Sequence, residues 1–258
     1  FGEVLRGIEA YMERFGIAVQ THLVSPENTK LINKLKQDVD GFIVITALNV
    51  KRNDFDILSD VRWVRAMGGI HTYTPSGHVT YDNNAVGHLA ADQLIGQGCE
   101  EFIYYGSATN YLFKTRLDTF RERIQENRKL TFKHIEIDIN TMSAGEIMER
   151  SERAFKAMVS PGKTTGLFIS ADMYATPVYQ VLYSMGIHPG KNIEIVSCDN
   201  NSYYLNGLHP KPQSIDIRML DIGLRAAEML QSPGAKMEKV VLTPELSVEK
   251  AVELAVMN

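Results

Sequence analysis

Tyr81-Asp82-Asn83-Asn84-Ala85-Val86-Gly87-His88-Leu89-Ala90-Ala91-Asp92-Gln93-Leu94-Ile95-Gly96-Gln97-Gly98 leads directly into Cys99-Glu100-Glu101-Phe102-Ile103-Tyr104-Tyr105. Tyr81 ends an extended segment. Leu89, Leu94 and Ile95 then fall on one side of a helix expected over 84–97, and Gly98 stops it. The apolar run 101–105 has the length of a strand buried on both faces. A strand, a helix and a second strand of this kind make a βαβ unit, which implies a parallel sheet.

The alternation extends in both directions. Downstream, helices are expected over 111–127, 143–159, 173–185 and 220–230. Strands are expected over 131–137, 165–170, 193–197, 214–217, 240–242 and 246–248. Upstream, Val4, Leu5, Ile8, Tyr11, Met12 and Phe15 recur at three and four, so the first helix runs over 2–15. Residues 17–23 read as a strand. Ser25 as N-cap and Pro26 in the first turn open a second helix, with Leu31, Ile32 and Leu35 as its buried stripe. The run from Gly41 to Val50 contains the strand Phe42 to Ile45. Some ten strands exceed one compact sheet of ordinary size. The expected fold is therefore α/β, with two parallel-sheet lobes.

Composition narrows the function. The chain has 258 residues, 44% hydrophobic and 22% charged, proportions that exclude wholesale disorder. No uncharged apolar run approaches the ~20 residues that span a bilayer, so no membrane association is expected. Two cysteines, Cys99 and Cys198, make neither a disulfide framework nor a four-ligand zinc site, and they fit a reducing compartment. A net charge of -4 argues against a broad nucleic-acid surface. The sequence starts at Phe1 without Met and shows no signal peptide, and it reads as a piece of a longer protein.

Catalytic signatures fail one by one. Pro161-Gly162-Lys163-Thr164 resembles the end of a phosphate loop, but Ala157 stands where the first glycine belongs, so a helix-ending turn is expected. No dinucleotide fingerprint, H-E-x-x-H or G-x-S-x-G occurs. His71 and His78 flank Pro75-Ser76-Gly77 at no recognised metal spacing, and Cys198 reads as a small buried residue. No catalytic residue, metal or cofactor is expected, and the chain is not read as an enzyme.

What remains is a set of polar groups at strand ends, where α/β sheets bind ligands. These are Tyr81-Asp82-Asn83, Gly106-Ser107-Ala108-Thr109, Ser170-Ala171-Asp172 and Cys198-Asp199-Asn200, with Arg116 one to two turns into a following helix. Arg, Asp and Asn side chains suit vicinal hydroxyls, because each makes paired hydrogen bonds. Asp82 and Asp172 suit helix capping equally well, Asp199 a turn, and Arg116 a solvated helix face.

The stretch 81–98 resembles the D-N-x-x-G-x-x-x-A-x-x-x-L-x-x-x-G signature of LacI/GalR transcriptional regulators. Ser170-Ala171-Asp172-Met173, with Gly186 through Ile193-Glu194-Ile195-Val196-Ser197-Cys198-Asp199-Asn200, is similar to that family's N-D-x-x-A…G-x-D-N stretch. Pro212 to Leu230 and Leu242-Thr243-Pro244-Glu245-Leu246-Ser247-Val248-Glu249 resemble its two closing motifs. Ala171, Ser197 and Glu249 replace the family's usual Asn, Gly and Arg, and the first change removes one polar ligand contact.

The resemblance implies a type I periplasmic-binding-protein-like fold with three crossovers. One lobe would comprise 1–81 plus 218–242, its first strand missing; the other would comprise 82–217 plus 243–258. It implies an effector-sensing domain that closes on a small sugar or sugar derivative between the lobes. Phe1 would stack on the effector, and Asp82, Arg116, Asn140, Asp172 and Asp199 would bind it. It implies a cytoplasmic homodimer paired through both lobes, with Tyr203, Tyr204, Leu205 and Leu208 and the helix at about 175–185 in the interface. Operator DNA would be met only through an absent N-terminal helix-turn-helix. A periplasmic sugar-binding protein of a transport system is the alternative, and linear turnover of a sugar would revive an enzyme.

Overall fold

The computed structural model describes residues 1–25, 27–46, 52–69, 76–160, 162–232 and 237–247. The readings that fall on Pro26, on 47–50, on His71 and Pro75, on Pro161 and on Val248 and Glu249 lie outside these residues. Among the described residues no helix is long and apolar enough to cross a membrane. The chain divides into two compact units.

Unit 1 comprises Phe1–Gly87, Ala108–Thr119 and Ile217–Pro244. Its sheet contains β1 (Phe42–Ile45), β2 (Trp63–Ala66), β3 (Gly77–Tyr81) and β9 (Lys239–Leu242), in the order β1-β2-β3-β9 and all parallel. Helix α1 (Gly2–Glu13) packs along α8 (Met219–Gln231). The pair approaches backbone to backbone through two glycines. A Cβ on Gly7 would lie 2.1 Å from the Leu220 carbonyl oxygen, and one on Gly223 would lie 2.0 Å from that of Val4. Any side chain at either position forces the helices apart. Of the expected α1 stripe, Val4, Ile8 and Met12 are buried, whereas Phe15 lies beyond the helix and is exposed.

Three expectations for unit 1 need correction. Residues 17–23 are not a strand, and Ile17, Val19 and Leu23 are exposed. Apolar alternation describes a strand only when a neighbour pairs with it, and no strand among the described residues does. Helix α2 (Thr29–Asp38) starts later than expected. Its cap is Asn28, whose side chain accepts the Leu31 N–H at 3.3 Å, and only Leu35 of its stripe is buried. Strand β2 and the short 3-10 helix Arg52–Leu58 before it were not expected at all. Arg65 interrupts the apolar run of β2, yet it is fully buried, with its guanidinium 5.7 Å from the Phe55 ring centre. Burial depresses its pKa to about 10.

Unit 2 comprises His88–Ser107, Phe120–Asp216 and Glu245–Asn258. Its strands are β4 (Glu101–Gly106), β5 (Thr131–Glu136), β6 (Thr165–Ile169), β7 (Ile193–Cys198), β8 (Gln213–Asp216) and β10 (Glu245–Leu246). They are ordered β10-β8-β7-β6-β4-β5 and are parallel except for β10, which pairs antiparallel with β8. Phe102, Tyr104 and Phe168 from neighbouring strands gather around Phe120, with ring centres 5.2–6.4 Å from it. The helices of this unit include α5 (Ala144–Met158), α6 (Ala175–Ser184) and the short α7 (Ser202–Leu205). Ser143 and Glu146 form a reciprocal capping box that starts α5. After α5 the chain passes Gly162, at φ +81, on its way into β6.

Candidate functional site

At the end of β3 the chain enters α3 (Asn83–Gly96) through three consecutive polar residues with different tasks. The Asp82 carboxylate accepts the Asn84 N–H at 2.9 Å and the Ala85 N–H at 3.4 Å. It caps the helix, as its position suggests for an Asp before a helix start. Asn83 is 3% exposed; its amide donates to the Leu112 carbonyl at 2.7 Å, and its Oδ1 accepts from Arg116 Nε at 2.9 Å. Tyr81 is 1% exposed, and its hydroxyl accepts from Arg116 Nη2 at 2.9 Å.

Arg116 sits on α4 (Tyr111–Gln125), whose first turn is anchored by Asn110 accepting the Leu112 N–H at 2.9 Å. It is 2% exposed, so the solvated-helix reading fails. Its guanidinium carbon lies 5.9 Å from the Tyr81 ring centre and 5.7 Å from that of Phe113. A guanidinium held by two hydrogen bonds between two aromatic rings has its direction set before any ligand arrives. Asn83 and Tyr81, which provide that setting, belong to the expected strand-end set but were not among its named effector ligands. The signal was the Asn of the Asp-Asn pair, where the carboxylate drew attention first.

In unit 2 the polar strand ends meet around Asp172, which opens a 3-10 turn after β6 and is 1% exposed. Its Oδ2 accepts the Asn201 N–H at 2.6 Å and its Oδ1 accepts the Ser214 hydroxyl at 2.9 Å. Burial, and then the Asp199 carboxylate, push Asp172 up to about 7. Asp199 follows β7 with φ +109 and Asn200 follows with φ +49, in the region that L residues rarely adopt. The Asp199 N–H donates to the Ile215 carbonyl at 2.9 Å, and the Asn200 side chain donates to Asp216 at 3.1 Å. Asp199 is half-buried. Asp172 does not cap a following helix with its side chain. Instead it reaches across to the β7 and β8 ends.

Two further expected residues are exposed. Phe1 is 63% exposed at the start of α1 in unit 1. Asn140 is exposed in unit 2, where its N–H and side chain both donate to Asp138, at 2.9 and 3.1 Å, in a turn after β5. His78 is buried on β3 and bonds the Met67 carbonyl at 2.8 Å; burial depresses its pKa to about 4, so the ring is neutral. Cys198 is fully buried.

The model of the periplasmic binding protein-like domain matches residues 91–250. No curated protein matches the chain. Among solved structures, the chain is similar to a probable maltose operon transcriptional repressor of Staphylococcus aureus, at 21% identity and a TM-score of 0.76, over 98% of this chain and 91% of that one. It is also similar to a LacI family transcriptional regulator of Enterococcus faecium with bound ribose, at 18% identity and a TM-score of 0.77, over 96% of this chain and 92% of that one. A third is a periplasmic binding protein/LacI transcriptional regulator of Alkaliphilus metalliredigens complexed with D-xylulofuranose, at 17% identity and a TM-score of 0.72, over 96% and 92%. These likenesses establish the α/β fold with parallel sheets, and with the family model matched over more than half of its length, the chain belongs to the periplasmic binding protein-like domain family.

Proposed function

We propose that the chain is the effector-sensing domain of a LacI-type transcriptional regulator, acting in the cytoplasm, whose effector is a sugar or sugar derivative. The observation that carries this reading is the match, over 96% of the chain, to regulators solved with ribose or with D-xylulofuranose. Arg116 and Asp199 are the proposed effector ligands, a fixed guanidinium and a half-buried carboxylate, group types that suit neighbouring hydroxyls. The relatives are regulators, so the chain is read as a binding domain without catalysis, and regulation is favoured over transport. Operator DNA would be held by a helix-turn-helix elsewhere in the parent protein. The effector would act by its difference in affinity for two states of the protein, which is the only way a ligand shifts such an equilibrium.

Titration calorimetry with D-ribose, D-xylulose and maltose tests the sugar reading. One of them is expected to bind with measurable heat, and at a hundredfold excess over Kd it should stabilise the protein by about 2.7 kcal/mol. Failure of these and of other pentoses and hexoses to bind at millimolar concentration would overturn it.

The regulator is further proposed to be a homodimer, with the 203–208 segment and α6 of unit 2 in its interface. Tyr203 is 87% exposed and sits edge-on to Tyr204, with ring centres 5.2 Å apart, and Tyr183 on α6 is also exposed. Leu205 leaves the proposed interface, because at 1% exposure it is part of its own unit's core. Leu205→Glu is therefore a folding lesion and no test of pairing. Tyr204 and Leu208 are half-buried and remain in the proposed interface. Sedimentation at micromolar concentration should give twice the chain mass of 29.0 kDa. Tyr183→Glu with Tyr203→Glu should return it to the single-chain value with melting intact. A wild-type protein that sediments as a single chain would sink the dimer.

A further inference from the structure

We propose that Asp172 is a positioning residue for Asp199: it holds the turn 199–201 in place and does not touch the effector. The positioning is a property of the unliganded protein, and only its consequence for binding rests on the reading of Asp199 as an effector ligand.

The turn carries two non-glycine residues in succession at positive φ, +109 and +49. Such backbone persists only where its surroundings over-determine it. Here three consecutive amides are committed. The Asp199 N–H goes to the Ile215 carbonyl at 2.9 Å, the Asn200 N–H to Ser214 Oγ at 3.0 Å, and the Asn201 N–H to Asp172 Oδ2 at 2.6 Å. Ser214 donates its own hydroxyl proton to Asp172 Oδ1 at 2.9 Å. Two of the three amides therefore depend on one carboxylate, one directly and one through a serine oriented by it. Asp172 is 1% exposed and Ser214 is fully buried, so water has no room to replace either. Both Asp172 oxygens are engaged within the protein. A carboxylate used in this way sets the direction of the next carboxylate along the strand ends, as second-layer groups do for ligands in general.

Amide hydrogen exchange followed by NMR on the unliganded full chain tests the proposal. Asp172→Ala removes both acceptor oxygens, so the Asn201 N–H loses its partner, whereas Asp172→Asn keeps one acceptor and removes the charge. Exchange of the Asn201 amide should accelerate at least tenfold in Asp172→Ala, while Leu167 and Val196, inside β6 and β7, keep their protection. Ser214→Ala should accelerate Asn200 in the same way and leaves the carboxylate in place. The other charged groups around the turn are Asp199 and Asp216. The wild-type Asn201 amide shift should follow a carboxyl titration near neutral pH. That titration should vanish in Asp172→Asn and persist, moved to lower pH, in Asp199→Asn. A role in packing alone gives no titrating amide.

Unchanged exchange at both amides, or an Asn201 shift indifferent to pH, would overturn the proposal. If Asp172→Ala does not fold, Ser214→Ala and the wild-type titration decide. Calorimetry with D-ribose and D-xylulose separates the two readings. A wild type that binds no sugar while its amides behave as described overturns the sugar reading and supports the positioning. A sugar held equally by wild type and by an Asp172→Ala protein with loosened amides overturns the link from turn to binding; tenfold weaker binding supports it.

Discussion

Arg116→Ala is expected to weaken sugar binding by about 30-fold to several thousandfold, the range that 2–5 kcal/mol covers when a buried charged contact loses one partner. Arg116 is 2% exposed, and Asn83 Oδ1 and the Tyr81 hydroxyl hold two edges of its guanidinium at 2.9 Å each. Truncation also strands those two groups in a dry site, so unit 1 itself should lose stability, on the order of 1–3 kcal/mol. The two effects separate by substitution. Tyr81→Phe removes one anchor and keeps the charge, and it should cost binding only about fivefold, one ordinary hydrogen bond. Arg116→Lys keeps the charge and loses the planar fork, so it should fall nearer to alanine than to wild type if the effector is held in a bidentate way. Calorimetry with the sugar that binds wild type reads all three. An alanine variant that melts at lower temperature yet binds like wild type would reduce Arg116 to a strut for Tyr81 and Asn83.

The fold was legible where the physics of burial is uniform. Strands covered on both faces read as continuous apolar runs, and Glu101–Gly106 and Ile193–Cys198 appear in the structure at or near their expected positions. It was illegible where a charge is buried, as at Arg65 in β2, because pattern reading places arginine in water. Residues 17–23 show the converse: their alternation is real, but pairing is a property of two segments and cannot be read from one.

The candidate site divides in the same way. Positions at strand ends were legible, because parallel sheets present their carboxyl ends to ligands. Roles were legible only in part. The cap at Asp82 was among the expected readings, but the orientation of Arg116 by Asn83 and the inward turn of Asp172 to Ser214 and Asn201 were not. Two adjacent polar residues in a turn differ in direction by backbone geometry, which spacing alone does not encode.

Asp172 should also make the stability of the protein fall as pH rises from about 4 to about 7. Burial is the larger cause of its raised pKa and the Asp199 carboxylate the next; Ser197, the Asn201 N–H and Ser214 favour the ionised form and are outweighed. The sign follows from the two pKa values, 3.8 for an ordinary carboxyl and about 7 in the fold. Below pH 4 both the folded and unfolded chains hold the proton, and the full stability is present. Between 4 and 7 the unfolded chain has released it and the folded chain retains it, so the balance shifts steadily toward unfolding. Above 7 the folded chain carries a buried anion, and the loss is complete. The difference corresponds to roughly 4 kcal/mol. Other carboxylates titrate over the same range, so the clean measurement is a difference. In urea unfolding at each pH from 4 to 8, the stability of wild type minus that of Asp172→Asn should decline by roughly that amount, because the asparagine never ionises. At pH 4 the two should be close in stability, since a neutral carboxyl and an amide each offer one accepting and one donating edge to the Asn201 N–H and the Ser214 hydroxyl. At pH 8 wild type should be the less stable. A difference that stays flat across the range would mean that Asp172 ionises as an ordinary aspartate does, and that its hydrogen bonds outweigh both its burial and Asp199.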